Sequence, residues 1–265
     1  MHAADHGTAP RSTRLRRAAR LARHLVHVYA SARLRASGLR PRGRCELAAA
    51  FACDMLNALE VRPQVRGRPC PSTDPVLIVA NHVSWLDMYA LNAVAGARFV
   101  AKSEVRGWPF FGTIAARFDT LFIVRGSYRD AARMRTEVAH ALREGARVVV
   151  FPEGTTNDGT TVGRFHPALF QSAIDARVPV QPAAIRYHDR RGAQSPAPVF
   201  VGDTTLLASV ARVIREPSLS VEVTFGPSLS PLGVTRKVLA EHARRWIGER
   251  LGVGDGAVIR RRHAA

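Results

Sequence analysis

The chain has 265 residues, of which 46% are hydrophobic and 23% are charged, the composition of a globular domain with a substantial core. A short peptide, a disulfide-stapled miniprotein and a wholly disordered chain are therefore excluded. The 39 basic residues exceed the 21 acidic ones by 18, and all but two of them are arginine, an excess that genome base composition alone can also produce.

The arginines are concentrated at the amino terminus, where the first 44 residues carry 11 of them against the single acid Asp5. Residues 1–12 show no apolar pattern and are predicted to be a disordered lead. Over residues 13–36, apolar side chains recur every three or four positions, with arginines largely on another face, which predicts a basic amphipathic helix. Its apolar stripe is Leu15, Ala18, Ala22, Leu25, Tyr29 and Ala32. The helix is expected either on an anionic membrane surface or docked against its own domain.

A second helix is predicted over residues 45–60, after a break at Gly38, Pro41 and Gly43. Four large apolar side chains lie on one side of it and are expected to face the core. They are Leu47, Phe51, Met55 and Leu59. Residues 13–60 are thus predicted to form a pair of helices ahead of the main domain.

Beyond residue 60, short β-branched runs alternate with helical stretches. Strands are expected at residues 62–66, 76–80, 98–101, 120–125, 147–151, 178–186 and 220–225. Helices are expected at residues 84–94, 109–116, 128–143, 167–176, 206–214 and 231–251. Continuous apolar strands are typical of sheets covered on both faces, so the fold class is α/β with a central mixed, mostly parallel sheet of about seven strands flanked by helices. This domain is expected to span residues 61–252, with a basic tail at 253–265.

The three cysteines, Cys45, Cys53 and Cys70, have neither the even count of a disulfide framework nor the spacing of zinc ligands. We expect free thiols in a reducing compartment. No apolar run approaches the roughly 18 to 20 residues that span a bilayer, and the first ten residues lack the pattern of a secretory signal. The sequence therefore predicts no transmembrane helix and no metal site.

The first candidate site is the segment Asn-His-Val-Ser-Trp-Leu-Asp at residues 81–87, directly after a buried strand. On a continuous helix His82 and Asp87 would lie about 140° apart, because each residue turns about 100°. If Ser84 is instead the N-cap, Asp87 takes the N3 position of a capping box and the preceding turn can bring His82 toward it. A carboxylate on one imidazole nitrogen leaves the other free as a general base, as acyl transfer to a hydroxyl requires. The alternative is a buried histidine beside a capping aspartate.

Two further candidates also follow predicted strands. The segment Phe-Pro-Glu-Gly-Thr-Thr-Asn-Asp-Gly at residues 151–159 contains Pro152 and Gly154, which explain a turn, and Glu153, which a turn does not explain. Backbone N–H groups around a glycine can also bind an anionic oxygen. Arg125 ends the run at 120–125 and either is an exposed charge or, if its strand neighbours the others, offers a phosphate ligand. Because α/β proteins bind ligands at the carboxyl ends of their strands, these segments are predicted to share one edge of the sheet.

These blocks resemble, in order and spacing, the signature motifs of the glycerolipid acyltransferase family. His82 and Asp87 match its His-x4-Asp motif, and residues 151–155, Phe-Pro-Glu-Gly-Thr, match a second signature. The resemblance runs from about residue 65 to residue 187 and includes Ala-Lys-Ser-Glu at 101–104, Arg125 and Val-Pro-Val-Gln-Pro at 178–182. Four ordered blocks argue against coincidence.

The resemblance implies an enzyme that moves a fatty acyl chain from acyl-CoA or acyl carrier protein to the free hydroxyl of a lysophospholipid, in phospholipid biosynthesis. The main expected acceptor is 1-acyl-sn-glycerol-3-phosphate. His82 would be the general base and Asp87 its orienting partner, with amide groups near Ser84 as oxyanion donors and no metal, cofactor or covalent intermediate. The implied acceptor-binding residues are Arg125, Glu153, Gly154 and Thr155. The supporting residues are Asn81, Ser84 and Lys102.

The chain departs from the family pattern on the acceptor side. Many members have Arg-Ser where this chain has Thr156 and Asn157, Gly and Asp where it has Asp119 and Val124, and Lys where it has His166. Loss of an arginine beside the acceptor weakens the case for a bare phosphate monoester. The Glu-Gly-Thr-Thr version resembles the bacterial branch that acylates lyso-ornithine lipid, which is therefore the alternative acceptor.

A bilayer-resident acceptor and the lack of a visible spanning segment together predict a peripheral protein on the cytoplasmic face of the inner membrane. The basic first helix and the aromatic run at 108–111 would supply the two weak signals that stable surface binding requires. A nucleic-acid-binding protein is the first alternative class, but the chain lacks zinc-finger spacing and an aromatic-basic RNA signature, so no nucleic acid partner is expected. The other is a catalytically silent lipid-binding protein of the same fold, against which the intact His82 and Asp87 argue.

Overall fold

The computed structural model describes residues 7–34, 41–107, 111–118, 120–123 and 128–253. Two helices, α1 (Arg11–Leu34) and α2 (Pro41–Leu59), precede the sheet. Its strands are β1 (Val61–Arg66), β2 (Val76–Ala80), β3 (Arg98–Lys102), β4 (Leu121–Ile123), β5 (Arg147–Val150), β6 (Val180–His188) and β7 (Leu219–Phe225). The remaining helices are α3 (Leu86–Ala95), α4 (Phe111–Arg117), α5 (Tyr128–Arg143), α6 (Phe170–Ala176), α7 (Leu206–Arg215) and α8 (Arg236–Leu251).

The strands form a single seven-stranded sheet in the order β1-β7-β6-β2-β5-β3-β4. Five of the neighbouring pairs are parallel, and β6 and β7 are antiparallel. The α/β class with a mostly parallel mixed sheet of seven strands, expected from the sequence, is therefore confirmed. Because β2 lies between β5 and β6 and runs parallel to both, the three carboxyl ends meet at one edge.

Helices cover both faces of the sheet, and each face carries its own apolar cluster. On one face, side chains of α2, α3 and α7 pack on Ile78 and Ile185. On the other, side chains of α5, α6 and α8 pack on Leu77 and Val148. All five residues of β2 are buried, as expected of a strand covered from both sides.

Several helix starts differ from the sequence-based expectation, and for α2 and α8 the local reason is clear. Helix α2 begins at Pro41, four residues before the predicted start, because proline suits the first position of a helix although it breaks helix interiors. Helix α8 begins at Arg236 and not at residue 231, because the Thr235 side chain accepts a hydrogen bond from the amide of Val238 and caps the helix there.

Helix α1 packs against its own domain through a face that the sequence pattern did not identify. Its buried residues are Arg17, His24, Val28, Ser31 and Ala32. The predicted stripe is wrong at Leu15, Ala18 and Ala22, which are exposed. The reason is that Arg17 docks through hydrogen bonds, so the buried face includes a charged residue that a hydrophobic pattern counts as solvent-facing.

The docking of α1 depends on Glu60, at the turn between α2 and β1, and on backbone carbonyls at the C-terminal end of α7. Arg17 donates from Nε to Glu60 at 3.1 Å and from Nη1 to the carbonyls of Ile214 and Glu216 at 3.1 and 2.6 Å. Arg16 and Arg20 also form ion pairs with Glu60, at 3.0 and 3.1 Å. The helix is thereby tied to two separate parts of the domain.

Candidate active site

The segments after β2 and β5 meet at the carboxyl edge of the sheet, where His82 and Asp87 form a hydrogen-bonded pair. Nδ1 of His82 lies 2.8 Å from Oδ2 of Asp87. Asp87 is fully buried, whereas 20% of the His82 side chain is exposed. The pair therefore presents an accessible imidazole in front of an inaccessible carboxylate. The turn before α3 brings His82 toward Asp87, as expected from the sequence.

The local backbone explains how a spacing of five residues brings the two side chains together. The amides of Val83 and Ser84 donate to Oδ2 of Asp87 at 2.7 and 2.9 Å, so the chain curls around the carboxylate before α3 begins. The Ser84 hydroxyl accepts from the amide of Leu86 at 3.2 Å. Helix α3 begins at Leu86 and not at residue 84, and only the carboxylate half of the expected capping box forms. The carboxylate is thus held on the histidine side.

These contacts narrow the choice of backbone amides that could serve as oxyanion donors near Ser84. The amides of Val83, Ser84 and Leu86 all donate within the protein, and the amide of Asp87 donates to the carbonyl of Ser84 at 3.2 Å. They are therefore committed to shaping the turn and are not free to stabilise a developing charge on a substrate.

A further donor to the carboxylate comes from β6. The Tyr187 hydroxyl donates to Oδ1 of Asp87 at 2.7 Å, and Tyr187 is 2% exposed. The role of Tyr187 could not be identified from the sequence, because it lies 100 positions from Asp87 and only the pairing of β6 with β2 brings the two together. The one available signal was that Tyr187 closes the block of residues shared with the acyltransferase family.

The ring of His82 stacks on the ring of Phe151, the first residue after β5. Their centroids lie 3.9 Å apart and the ring planes are 13° apart. Because Nδ1 faces Asp87, this stacking leaves Nε2 as the nitrogen available to a substrate. The tautomer with the proton on Nδ1 follows from the hydrogen bond to the carboxylate.

Glu153 contacts the backbone of His82 and is hydrogen-bonded within the protein. Its Oε1 accepts from the backbone amide of His82 at 2.9 Å. Its Oε2 accepts from the amide of Gly163 at 2.8 Å and from the side-chain amide of Asn157. Glu153 is 8% exposed, and burial raises its pKa although these three donors act in the opposite direction. Both of its oxygens accept hydrogen bonds from the protein, so Glu153 holds the loop against His82, and the acceptor-binding role that the family resemblance implies stays a prediction.

The backbone of His82 is held at both of its polar atoms. While Glu153 accepts from its amide, the carbonyl of His82 accepts from the backbone amide of Asn157 at 2.8 Å. The Asn157 side chain in turn accepts from the amide of Gly159 at 2.7 Å. Sequence reasoning noted Asn157 only as a departure from the family pattern and missed this role, which depends on the path of the loop.

The other predicted site residues are placed as follows. Asn81 is buried and exchanges hydrogen bonds with the carbonyl and amide of Ile185, at 3.0 and 2.8 Å, which continues the pairing of β2 with β6. Gly154 is partly exposed and Thr155 exposed, in the loop that contains Glu153. Lys102 ends β3, but its side chain lies outside the described residues, as does the whole of Arg125.

The aromatic run at 108–111 falls largely outside the part of the chain that the structure describes. Trp108 and Phe110 lie outside it, and so does the side chain of Phe111. Trp85 is described, and its indole N–H donates to the Ser209 hydroxyl at 3.0 Å, which joins the histidine turn to α7.

The two positions where the family commonly has Arg-Ser face the protein. The Thr156 hydroxyl donates to the carbonyl of Phe200. The Asn157 side chain contacts Glu153 and the amide of Gly159. Neither position therefore offers a cation to an acceptor headgroup.

Within the described ranges, no three His, Cys, Asp or Glu side chains come together as metal ligands, and no helix is long and apolar enough to cross a bilayer.

Comparison with known proteins shows similarity over most of the chain. A family model described as Acyltransferase matches residues 62–186. The chain is 40% identical over 192 residues to a lyso-ornithine lipid O-acyltransferase of Pseudomonas aeruginosa, a match covering 72% of this chain and 73% of that protein. It is 37% identical over 214 residues to a 1-acyl-sn-glycerol-3-phosphate acyltransferase of Neisseria gonorrhoeae, covering 80% of this chain and 83% of that protein.

The architecture also matches a solved structure. The crystal structure of the 1-acyl-sn-glycerophosphate (LPA) acyltransferase from Thermotoga maritima superimposes with a TM-score of 0.60, over 88% of this chain and 97% of that one, at 21% identity. That likeness shows a common fold.

Proposed function

This chain belongs to the acyltransferase family, as its motifs predict, and from that premise we propose that it transfers a fatty acyl chain from acyl-CoA or acyl carrier protein to the free hydroxyl of a lysophospholipid. The observation that carries the proposal is the buried Asp87 carboxylate 2.8 Å from Nδ1 of a partly exposed His82. This arrangement leaves Nε2 to accept a proton from a hydroxyl group.

In the proposed mechanism, Nε2 of His82 removes the proton of the acceptor hydroxyl as its oxygen attacks the thioester carbonyl. The carbon–sulfur bond then breaks, and the imidazolium returns the proton to the leaving thiolate. Asp87 holds the Nδ1 proton and stabilises the imidazolium, and general-base catalysis of this kind contributes roughly 10² to 10⁴-fold. No cofactor besides the acyl donor takes part.

We propose 1-acyl-sn-glycerol-3-phosphate as the acceptor, because the relative from Neisseria gonorrhoeae bears that activity in its name. The product would then be phosphatidic acid. Lyso-ornithine lipid is the second candidate. Two observations favour it: the relative from Pseudomonas aeruginosa bears that name, and the inward-facing Thr156 leaves no cation at a position where phosphate-handling members have arginine.

The test is acyl transfer from a labelled acyl thioester, carried by coenzyme A or by acyl carrier protein, to both lysolipids in detergent micelles. His82→Ala is expected to lower the rate by at least about 10²-fold. His140→Ala, which changes an exposed histidine on α5, is expected to keep the wild-type rate. Product with only one lysolipid identifies the acceptor. A folded wild-type protein that acylates neither, with either carrier, would instead favour the silent lipid-binding protein.

We also propose that the protein works as a peripheral membrane protein on the cytoplasmic face of the inner membrane. The face of α1 that points away from the domain exposes Leu15, Val26 and Leu34 by 62, 69 and 80%. Exposed arginines, among them Arg23 and Arg33, lie on the same helix. Apolar side chains beside cations suit an anionic lipid surface. The docking of α1 and its contact with a membrane are therefore compatible, because they use different faces.

A further inference from the structure

Asp87 is the most fully bonded side chain of the site. Its Oδ2 meets Nδ1 of His82 and two backbone amides, those of Val83 and Ser84, while its Oδ1 meets the Tyr187 hydroxyl at 2.7 Å. Asp87 is fully buried and Tyr187 is 2% exposed, so water does not compete for these positions. A buried carboxylate is costly unless its oxygens are bonded.

We propose that Tyr187 is a positioning residue for the proposed acyl transfer, holding Oδ1 of Asp87 so that Oδ2 alone is directed at His82. The inference rests on the proposed role of His82 as the general base. Because rotation of a carboxylate about its last bond is soft, contacts at one oxygen leave the carboxylate plane loosely fixed. A donor on the other oxygen fixes that plane, and with it the direction of the Nδ1 proton.

The strand that carries Tyr187 is suited to this role. Tyr187 pairs with Val221 of β7, and two residues earlier Ile185 exchanges two hydrogen bonds with Asn81. The same short stretch of β6 therefore holds the start of the histidine turn and the carboxylate inside it. Both are held by β6, a strand paired on both sides, and a side chain on such an element can define a geometry within fractions of an ångström.

The chemistry of the phenol makes the contact one-directional. Burial, followed by the neighbouring charge of Asp87, holds the pKa of Tyr187 well above its ordinary value of 10. The hydroxyl therefore remains a donor throughout the working range of the enzyme. By donating to the carboxylate it withdraws negative charge from the oxygen that faces His82, and so moderates the pull of Asp87 on the imidazole proton.

The expected effect of removing the hydroxyl has a definite sign. Without Tyr187 as donor, Asp87 concentrates its charge toward His82, so the imidazolium is favoured and the base becomes free only at higher pH. Glu153, a titratable group that accepts from the His82 amide, is unchanged by the substitution. A shift of the pH dependence therefore reports on the contact between Tyr187 and Asp87.

The experiment compares Tyr187→Phe with the wild type in acyl transfer across a range of pH. We expect kcat to fall about 10-fold, the order of one hydrogen bond to a charged group, with KM for the lysolipid unchanged. The acid limb of the kcat profile is expected to move to higher pH. The matched control is Tyr89→Phe, which removes a phenolic hydroxyl from α3 in the same apolar cluster and should leave kcat and its pH profile as in the wild type.

A second measurement does not depend on turnover. The measurement is ¹⁵N-histidine NMR of the full chain, in which the His82 signal among the ten histidines is assigned by its loss in His82→Gln. The titration midpoint of His82 is expected to rise in Tyr187→Phe and to equal that of the wild type in Tyr89→Phe. An unchanged midpoint together with an unchanged acid limb overturns the proposal, even if kcat falls, because a merely structural role would act in that way. If the wild type acylates no lysolipid but Tyr187→Phe still raises the His82 midpoint, the proposed function is refuted. The positioning of Asp87 by Tyr187 is then still supported.

Discussion

Glu153 and Asp158 lie in one loop, but the structure gives them opposite surroundings. Glu153 is 8% exposed and accepts three hydrogen bonds from His82, Gly163 and Asn157. Asp158 is exposed and accepts from the amide and hydroxyl of Thr160. The Glu153 carboxylate therefore helps to position the backbone of His82, whereas the Asp158 carboxylate stabilises a surface turn.

This contrast yields a matched pair of substitutions. In Glu153→Gln, one acceptor oxygen becomes an NH₂ group facing donors of the loop, so the backbone of His82 is held less firmly, with only its contact to the Asn157 amide unaffected. We expect kcat to fall at least about 10-fold while the lysolipid KM changes little, because misplacement of a catalytic group by a fraction of an ångström is costly. Steady-state acyl transfer measures both constants.

Asp158→Asn is the control, because its remaining oxygen can still accept from Thr160. Its kcat is expected to equal that of the wild type. A large rise in KM for the lysolipid in Glu153→Gln, with kcat preserved, would instead assign Glu153 to the acceptor, as the sequence resemblance implied.

The sequence predicted the pair of His82 and Asp87, because a serine, a strand end and an acid three residues after the serine define a local turn. It did not predict which way Glu153 faces, since that depends on where the loop places Gly163. Nor did it predict Tyr187, whose contact depends on the sheet order. Chemistry encoded within a few residues was therefore accessible from sequence, and chemistry that requires two strands to meet was not.

Among the secondary-structure elements, α1 is distinguished by the buried arginine, Arg17, through which it docks on the rest of the domain. Arg17→Met removes donors from Glu60 and from the carbonyls of Ile214 and Glu216 in a site where Arg17 is 3% exposed. We expect the free energy of unfolding to fall by about 2 kcal/mol, the order of an unsatisfied buried polar group. Amide exchange in α1 should rise correspondingly, as measured by mass spectrometry.

Arg23→Met provides the comparison, because Arg23 is an exposed arginine on the same helix. It is expected to leave the exchange of α1 within error of the wild type. Equal exchange in both variants would mean that α1 is held by its apolar contacts and that the arginine contributes little.

The ion cluster around Glu60 predicts a pH dependence of the same docking. Burial raises the pKa of Glu60, but the hydrogen bonds from Arg16 and Arg17 outweigh it and leave the pKa below its ordinary value of 4.5. The stabilisation is therefore fully present above pH 4.5 and is lost as the pH falls through the lower, folded-state pKa.

Urea unfolding of the wild type and of Glu60→Gln at several pH values measures this dependence. The two proteins should differ most near neutral pH and converge as the pH falls well below about 4. A difference that stays constant over this range would show that the charge of Glu60 is not what stabilises α1.

The approximate boundaries of most elements could be predicted, because the spacing of apolar residues and the turn-forming residues are both visible within a short stretch of sequence. The face of α1 could not, since a stripe of alanines specifies a direction only weakly, and the buried Arg17 and His24 are recognised as core residues only once Glu60 and Phe51 are in place. Weak amphipathicity leaves the choice of face to tertiary contacts.

Across the whole molecule, the formal charge of +18 and the outward face of α1 predict salt-sensitive binding to anionic membranes. Leu15→Ser combined with Val26→Ser is expected to reduce sedimentation with phosphatidylglycerol-containing vesicles several-fold, because each exposed side chain contributes apolar contact with the lipid. These substitutions test the surface better than deletion of α1, which would expose the surfaces of α2 and α7 beneath it.

Leu232→Ser is the control, because Leu232 is also an exposed leucine, at 68%, but lies outside α1. Its vesicle binding should match that of the wild type and decrease with added salt in the same way. Binding that resists both the α1 substitutions and high salt would place the lipid-contacting surface elsewhere.

The position of β1 at the outer edge of the sheet has a consequence for biosynthesis. Its neighbour in the described sheet is β7, and the register joins Val61 to Leu219. During translation, the backbone of β1 can therefore pair with β7 only after nearly all of the domain has emerged from the ribosome. Pairings so distant in sequence close slowly. The nascent chain thus carries an unpaired strand for most of its synthesis, and its earliest stable contacts are expected among the central strands.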